Sequence, residues 1–486
     1  MRSIIKKILY VIFFVVLLSC SKDDDLQVVP SKHFDEIETT LSLRISTDSV
    51  LTRQEAINVA KLMMLYEHPN TKSASEVNKE IEDVEEIVDE YGDIVMYAIN
   101  YTNNEGYTIV SATKDYFPII ARVEKGKYDS KRIQDSGVSL LVQMYKDEIS
   151  YWDKQPVDSL KEIRRNWLKY EEINGILPSS TKSDISLIQQ QIASMQAAGA
   201  VVYTLSQAES ILPADVYDIF YRNAEVEHNH DYDMMAYAVV VETELDYTPS
   251  YLLNTTWGQG EPYNYSCPTE TIYVETYHCK VGCNAVALAQ VMKYHQWPNT
   301  FSWNSMPNNL NYSISGPTVL SDYLYDVGMA INTDYGVTAS ISSINYVYSA
   351  LISQYNYLAS AVSNIGSIAN VALKTSINNG RPVILRGGLD KDGNGVQEEG
   401  HCWVCDGYGP SYTTKYYTLY VVDYSYPAQL VETSTQYEYN MEYGEIFHMN
   451  WGWGGQDNGW FLANNLPSNV NYTLQLGQIA SIRPNN

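Results

Sequence analysis

A cysteine stands where a helix should begin. In Val281-Gly282-Cys283-Asn284-Ala285 the thiol follows a glycine, and strong helix formers then run from Ala285 until Trp297-Pro298 stops them. A thiol at a helix N-terminus is drawn toward its thiolate by the partial positive charge of unpaired amides, and the thiolate is the nucleophilic form. The same Ala-rich run also suits a helix that simply buries a cysteine. Two further pieces bear on the choice. Glu399-Gly400-His401-Cys402-Trp403-Val404-Cys405-Asp406-Gly407 places a histidine at the start of a short apolar strand with a turn after it. Phe447-His448-Met449-Asn450-Trp451-Gly452-Trp453-Gly454-Gly455 is a strand running into a glycine-rich turn with two tryptophans. His401 follows Cys283 by 118 residues and Asn450 lies beyond it. Cysteine, histidine and amide residues that far apart can still meet in a fold as nucleophile, base and orienting group.

These groups need elements to hold them, and the elements are readable in outline. Thr52-Arg53-Gln54-Glu55 is a capping box that opens a helix over about 52–66, with Ala56, Val59, Ala60 and Met63 on one side. Asp93 to Tyr101, Gly106 to Thr113 and Ile119 to Tyr128 read as three strands, the first two joined by a short Asn103-Asn104-Glu105-Gly106 turn. Ser139 to Trp152 returns to helix, and the acidic run Glu76 to Tyr91 reads as a solvated helix face or linker. Residues 33–175 then form one small α+β domain. Residues 176–246 hold a Gln/Ala-rich helix at Ile185 to Ala197 and a Ser/Lys/Asp stretch suited to protease access, and are expected to be a linker or activation region.

Charge divides the chain at the same place. The whole carries 32 Lys plus Arg against 58 Asp plus Glu, a net of -26, which repels nucleic acid and anionic lipid. From Tyr251 onward there are 8 basic and 17 acidic residues, against 24 and 41 before it, so the second half is far less charged. Its Tyr-, Asn-, Ser- and Gly-rich character hints at a secreted hydrolase or binding domain.

The first residues read as a targeting segment. Arg2, Lys6 and Lys7 precede an apolar run, Ile8 to Leu18, too short to span a bilayer comfortably. Leu17-Leu18-Ser19-Cys20 resembles a bacterial lipobox, which implies a signal peptide over 1–19, a lipid anchor on Cys20 and an outer-membrane or cell-surface location; Ser21-Lys22-Asp23-Asp24-Asp25 resembles a surface-export signal. Membrane contact is expected only through that anchor. Setting Cys20 aside leaves five cysteines, an odd number that suggests a free, reactive thiol in an exported protein.

Taken together, the motifs of the second half resemble the streptopain family of papain-like cysteine peptidases. The resemblance covers about 247–486. Trp257-Gly258-Gln259-Gly260-Glu261-Pro262-Tyr263-Asn264 is similar to its opening motif, Gly282-Cys283 through Lys293-Tyr294-His295 to its nucleophile helix, and Tyr325-Asp326-Val327-Gly328 to Asp334-Tyr335-Gly336 to its middle segment. In the first half, Gly106-Tyr107-Thr108-Ile109-Val110-Ser111 is similar to the propeptide of that family, related to Spi-type protease inhibitors. The resemblance implies an α+β fold with a papain-like catalytic domain behind a small α+β pro-domain, and a cysteine endopeptidase made as a zymogen. Cys283 would be the nucleophile and His401 the base that later protonates the leaving amine. Asn450 would orient the imidazole, Gln259 would donate to the oxyanion, and Trp451 would shield the His-Asn contact, with Trp453 beside it. The implied partners are protein or peptide substrates and the chain's own pro-domain as inhibitor; no metal or organic cofactor is implied. Two rivals are an amidase or acyltransferase on the same residues and an inactive surface protein that binds or inhibits.

Other motifs invite different readings. Cys402 and Cys405 are three apart on a strand, so their side chains face opposite ways and two separate buried thiols are expected rather than a metal or redox pair. Cys267 and Cys279 flank a loop and are candidates for a disulfide. Asp390-Lys391-Asp392-Gly393-Asn394-Gly395 opens like a calcium loop, but its twelfth position is His401 rather than Glu, so a polar turn is expected. His228-Asn229-His230-Asp231 reads as a solvated loop rather than a metal site.

Overall fold

The computed structural model describes residues 45–67, 79–171, 191–227, 237–389, 399–463 and 474–485, apart from short stretches within these ranges. Cys20, the His228 to Asp231 cluster, the Asp390 to Gly395 turn and most of the Ile185 to Ala197 helix lie outside the described residues.

The first domain forms around the capping box. Glu55 Oε2 accepts from the Thr52 amide at 2.8 Å and from its hydroxyl at 2.7 Å, and these bonds together with those from Ser46 hold the Glu55 carboxyl down to about 2 against the cost of burial. Helix α1 (Arg53–Glu67) follows. Four strands then run as an antiparallel meander, β1 (Ile81–Val88), β2 (Ile94–Tyr101), β3 (Tyr107–Ser111) and β4 (Ile119–Val123). The acidic run read as helix or linker is therefore a strand over 81–88. Its alternation is hidden because Val84 and Ile87, three apart, are buried in different cores on opposite faces, and the register shifts at both ends. Helix α2 (Gly137–Trp152) closes the domain, capped by Ser136.

The segment expected to be linker carries β5 (Val201–Thr204), α3 (Ala214–Glu227) and β6 (Tyr237–Leu245). The second domain opens with a hairpin, β7 (Thr269–Ile272) and β8 (Glu275–His278), followed by three helices, α4 (Cys283–His295), α5 (Val319–Ala330) and α6 (Ile344–Ser353). Then come β9 (Tyr357–Leu358), β10 (Ser363–Ile365), α7 (Val371–Asn378), β11 (Val383–Leu389), β12 (Glu399–Gly409), β13 (Tyr412–Asp423), β14 (Gln429–Met441), β15 (Glu445–Asn450), β16 (Gly459–Ala463), β17 (Leu474–Ile479) and β18 (Arg483–Pro484). Strands β5 and β6 add to β13 and β14, so residues on both sides of 247 share one sheet.

The two domains also share a sheet. Among the described residues it runs β1-β2-β3-β4-β16-β15-β12-β11-β17-β10, and the join is β4 against β16, with Trp460 opposite Arg122. A strand edge that would otherwise expose unpaired amides is thus covered by the first domain. Arg132 reinforces the join with two 2.9 Å bonds to the buried Asp457 carboxylate, and Tyr145 Oη donates to Leu462 O at 2.7 Å.

Strand β12 sorts its side chains by alternation. Trp403 and Cys405 belong to a core that includes Leu140, Leu141 and Tyr145 of α2. Cys402 and Val404 belong to the core built on Val286, Leu288 and Val291 of α4. Cys402 and Cys405 are free, buried and on opposite faces, as strand geometry requires.

Candidate active site

Cys283 is the first residue of α4, and the backbone before it makes that possible. Gly282 has φ +94, a conformation that disfavours a side chain, and a Cβ there would stand 3.2 Å from Ser340 O. The approach strand is pinned on both sides: Val281 N donates to Gln259 O at 2.9 Å, and Lys280 N donates to Gly336 O at 2.9 Å. The first bond brings Gln259 to the loop that ends at the thiol, and the second uses the Asp334-Tyr335-Gly336 segment as a support. The Asn284 side-chain Nδ2 donates to Ser342 O at 2.6 Å and ties the helix start to that loop.

The thiol itself is half-buried. Burial pushes Cys283 above the ordinary cysteine range, while the backbone amides of Cys402, Asn284 and Cys283 favour the charged form without winning. The lowered thiol expected from a helix N-terminus is therefore not found in this full-length state, because desolvation of the sulfur exceeds the help its amides give.

His401 lies at the other side of the site, buried, with its ring parallel to Trp403 at 6.2 Å. Its Nε2 lies 2.9 Å from Trp451 O, which can only accept, and 3.2 Å from Trp453 Nε1, which can only donate, so a proton on Nε2 satisfies the first contact and a bare Nε2 the second. With the proton on Nε2, toward the shorter contact, Nδ1 is the basic nitrogen, which is the tautomer a thiol-activating base needs. Burial depresses the imidazole to about 4, against the pull of the Trp451 carbonyl. Cys283 and His401 share no hydrogen bond, and burial favours the neutral form of each.

Asn450 stands next to this carbonyl with its side-chain amide committed elsewhere. Its Nδ2 donates to Thr255 O at 2.8 Å, and its Oδ1 accepts from Gln290 Nε2 at 3.1 Å and from Gly452 N at 3.3 Å. The imidazole's partner is the backbone of the next residue, Trp451, rather than the Asn450 side chain expected from the sequence. Trp451 is buried, with its ring edge-on to Phe461, whereas Trp453 is partly exposed beside the imidazole.

Gln290 was not singled out from the sequence. It is fully buried two turns along α4 from Cys283, accepts from Trp257 N at 3.2 Å and donates to Asn450. One amide thereby ties the segment carrying Gln259 to the segment carrying Asn450 and Trp451. The available signal was a lone glutamine inside the apolar run Ala285 to Met292, since a buried amide must find partners.

The first domain reaches into this site. At Gly137, the first residue of α2, a Cβ would lie 2.1 Å from the Trp451 ring and 3.0 Å from His401 Cδ2. The helix backbone therefore rests directly on the tryptophan and the imidazole, and only glycine permits that approach.

Residues 257–300 and 299–461 match the Peptidase C10 family, and residues 48–149 match the Spi protease inhibitor family. Thiol protease/hemagglutinin PrtT of Porphyromonas gingivalis is 26% identical over 240 residues, 43% of this chain and 23% of that protein. Streptopain of Streptococcus pyogenes serotype M1 is 26% identical over 249 residues, 42% of this chain and 52% of streptopain. The chain thus spans about half the length of streptopain and under a quarter of PrtT in these matches. Among solved structures, a fragment of Prevotella intermedia prointerpain A is 16% identical with a TM-score of 0.41, over 82% of this chain and 97% of that one. In chain order, a segment similar to the Spi protease inhibitor family thus precedes a segment similar to the Peptidase C10 family.

Proposed function

We propose that this chain is a cysteine endopeptidase held latent by its own first domain, with Cys283 as nucleophile, His401 as base and proton donor to the leaving amine, and Gln259 with the Cys283 amide as oxyanion donors. Asn450 and Gln290 position Trp451, whose carbonyl keeps the imidazole in the useful tautomer. Trp451 and Trp453 wall the histidine. The observation that supports this reading is the close approach of Gly137 to both Trp451 and His401, where the segment similar to the Spi protease inhibitor family meets the segment similar to the Peptidase C10 family.

The chemistry needs a thiolate beside an imidazolium, and the intact chain disfavours both. Burial raises the thiol and lowers the imidazole, so proton transfer between them is opposed from each end. Lifting α2 away readmits water and frees the ring to approach Cys283. Cleavage within 176–246 would release the constraint. Export, a lipid anchor on Cys20 and a surface location complete the proposal, supported by the n-region, apolar run and lipobox-like sequence.

Digestion of denatured casein by the proteolytically activated chain tests the reading. Peptide release is expected, and Cys283→Ala should lose roughly four to six powers of ten in rate. Full proteolysis by the alanine variant contradicts the nucleophile assignment, and amide or acyl transfer without peptide release contradicts the endopeptidase reading.

A further inference from the structure

The first domain occupies a strand edge that it vacates on leaving. Across the join, Val123, Arg122 and Ala121 of β4 stand opposite Gly459, Trp460 and Phe461 of β16. The pairing continues past the strand end, where Glu124 N donates to Asn458 O at 3.2 Å and Asp457 N donates to Lys125 O at 2.8 Å. Arg132 adds a guanidinium that makes two 2.9 Å bonds to the Asp457 carboxylate, a side chain only 5% exposed in the intact chain. Residues 457–461 thus receive two things from the first domain, an extended backbone and a guanidinium.

This edge begins beside the imidazole. Trp451 N donates to Asn458 Oδ1 at 3.0 Å, and Trp451 O lies 2.9 Å from His401 Nε2. Asn458 therefore touches the residue whose carbonyl meets the histidine, and Asp457 is next along the chain. On its other side β16 pairs with β15, so removal of β4 leaves one open edge among the described residues. Unpaired edge amides and carbonyls are a template for another extended chain, and a carboxylate that has lost its guanidinium favours another.

We propose that, once the first domain has left, residues 457–461 form a substrate-docking edge, on which a protein substrate lays an extended segment whose arginine takes the place of Arg132 on Asp457. The proposal rests on the reading of the chain as an endopeptidase. The carboxylate faces the chain just beyond the paired stretch, since a Cβ on Gly126, the residue after Lys125, would fall 2.7 Å from Asp457 Oδ1. The arginine therefore belongs at the end of the docked segment. Arginine suits the place better than lysine, because its planar fork can make both bonds at once. A second copy of this edge suits it poorly, since residues 457–463 carry no basic side chain to offer Asp457. Docking away from the reacting bond holds substrate and transition state alike, so it lowers KM and leaves kcat unchanged.

The test uses the proteolytically activated chain and the casein-derived peptide it cleaves best, lengthened on each side and carrying a single arginine moved residue by residue away from the scissile bond. At one stretch of positions KM should fall roughly tenfold with kcat unchanged. Exchange of that arginine for citrulline, which keeps the shape and removes the charge, should undo the gain. Asp457→Asn should undo it too, while short peptides that lack the segment are cleaved as before; the citrulline exchange needs no variant and decides the matter if Asp457→Asn folds poorly. Equal KM for arginine and citrulline peptides at every position overturns the docking edge and leaves the endopeptidase reading intact. A preference for arginine that survives Asp457→Asn, in a variant that still cleaves short peptides, overturns the assignment to Asp457. Failure to cleave any peptide overturns the endopeptidase reading, and the docking edge with it.

Discussion

The two faces of strand β12 are covered differently, one by α4 of the second domain and the other by α2 of the first together with α7 of the second. One face, with Cys402 and Val404, lies under α4, which carries Cys283, the proposed nucleophile, and belongs to the second domain. The other, with Trp403 and Cys405, lies under α2 of the first domain, which begins on His401 and Trp451, and against Leu373 and Ile377 of α7. Each covering buries large apolar side chains, worth roughly 1.5–3 kcal/mol apiece. The difference is permanence: cleavage can remove α2 from its face, whereas α4 stays on the other. A latent enzyme needs little more than this asymmetry, because the helix that stabilises the sheet also occupies the ground the imidazole needs.

The largest effects that separate the faces come from paired core truncations. Leu288→Ala in α4 should cost about 2–5 kcal/mol of catalytic-domain stability both before and after removal of the first domain, since Leu288 is fully buried in the permanent core. Leu141→Ala in α2 should cost a similar amount in the intact chain and nothing in the separated catalytic domain. Denaturant melts of each form check this, and equal losses from Leu141→Ala in both forms would break the comparison.

A smaller effect sharpens it at the point of contact. Gly137→Ala inserts a methyl group into the Trp451 ring, which should weaken docking of the first domain by about 1–3 kcal/mol while leaving the cleaved peptidase unchanged. The measurable outcome is a roughly 5- to 150-fold weaker inhibition by the first domain added in trans. Unchanged inhibition would show that α2 does not press on the site.

The smallest expected effect is a displacement of a pH profile. Because burial raises the Cys283 thiol in the intact chain, its thiolate fraction keeps rising past pH 9, so iodoacetamide labelling should climb through that pH without levelling. After cleavage the sulfur regains water and an imidazolium partner, so the profile should level at lower pH. Superimposable profiles would mean that the first domain does not bury the thiol.

Much of this was legible in the residues. The capping box at Thr52 and Glu55, the Asn103–Gly106 turn and the glycine before Cys283 act through local geometry, and each forms as its spacing requires. What escaped was long-range. Strand β1 is buried through Val84 and Ile87 on opposite faces, which erases the alternation that would announce it. Strands β5 and β6 take their order from pairing with β13, far along the chain, so a local reading sees only a linker. At the site, residue types pointed to Cys283 and His401, but not to the Trp451 carbonyl that holds the imidazole or the Gln290 amide behind it, because backbone groups and buried bridges leave no motif. The thiol's helix-terminal position argued for a low pKa, and burial reversed it in the intact chain.

The most direct test of latency at Cys283 is covalent labelling by a thiol-directed epoxide inhibitor, read by mass spectrometry on the chain before and after limited proteolysis. The account predicts label on Cys283 only after cleavage. Equal labelling of Cys283 in the intact chain would contradict latency, and no labelling in either form of the folded protein would contradict the assignment of Cys283 as the nucleophile.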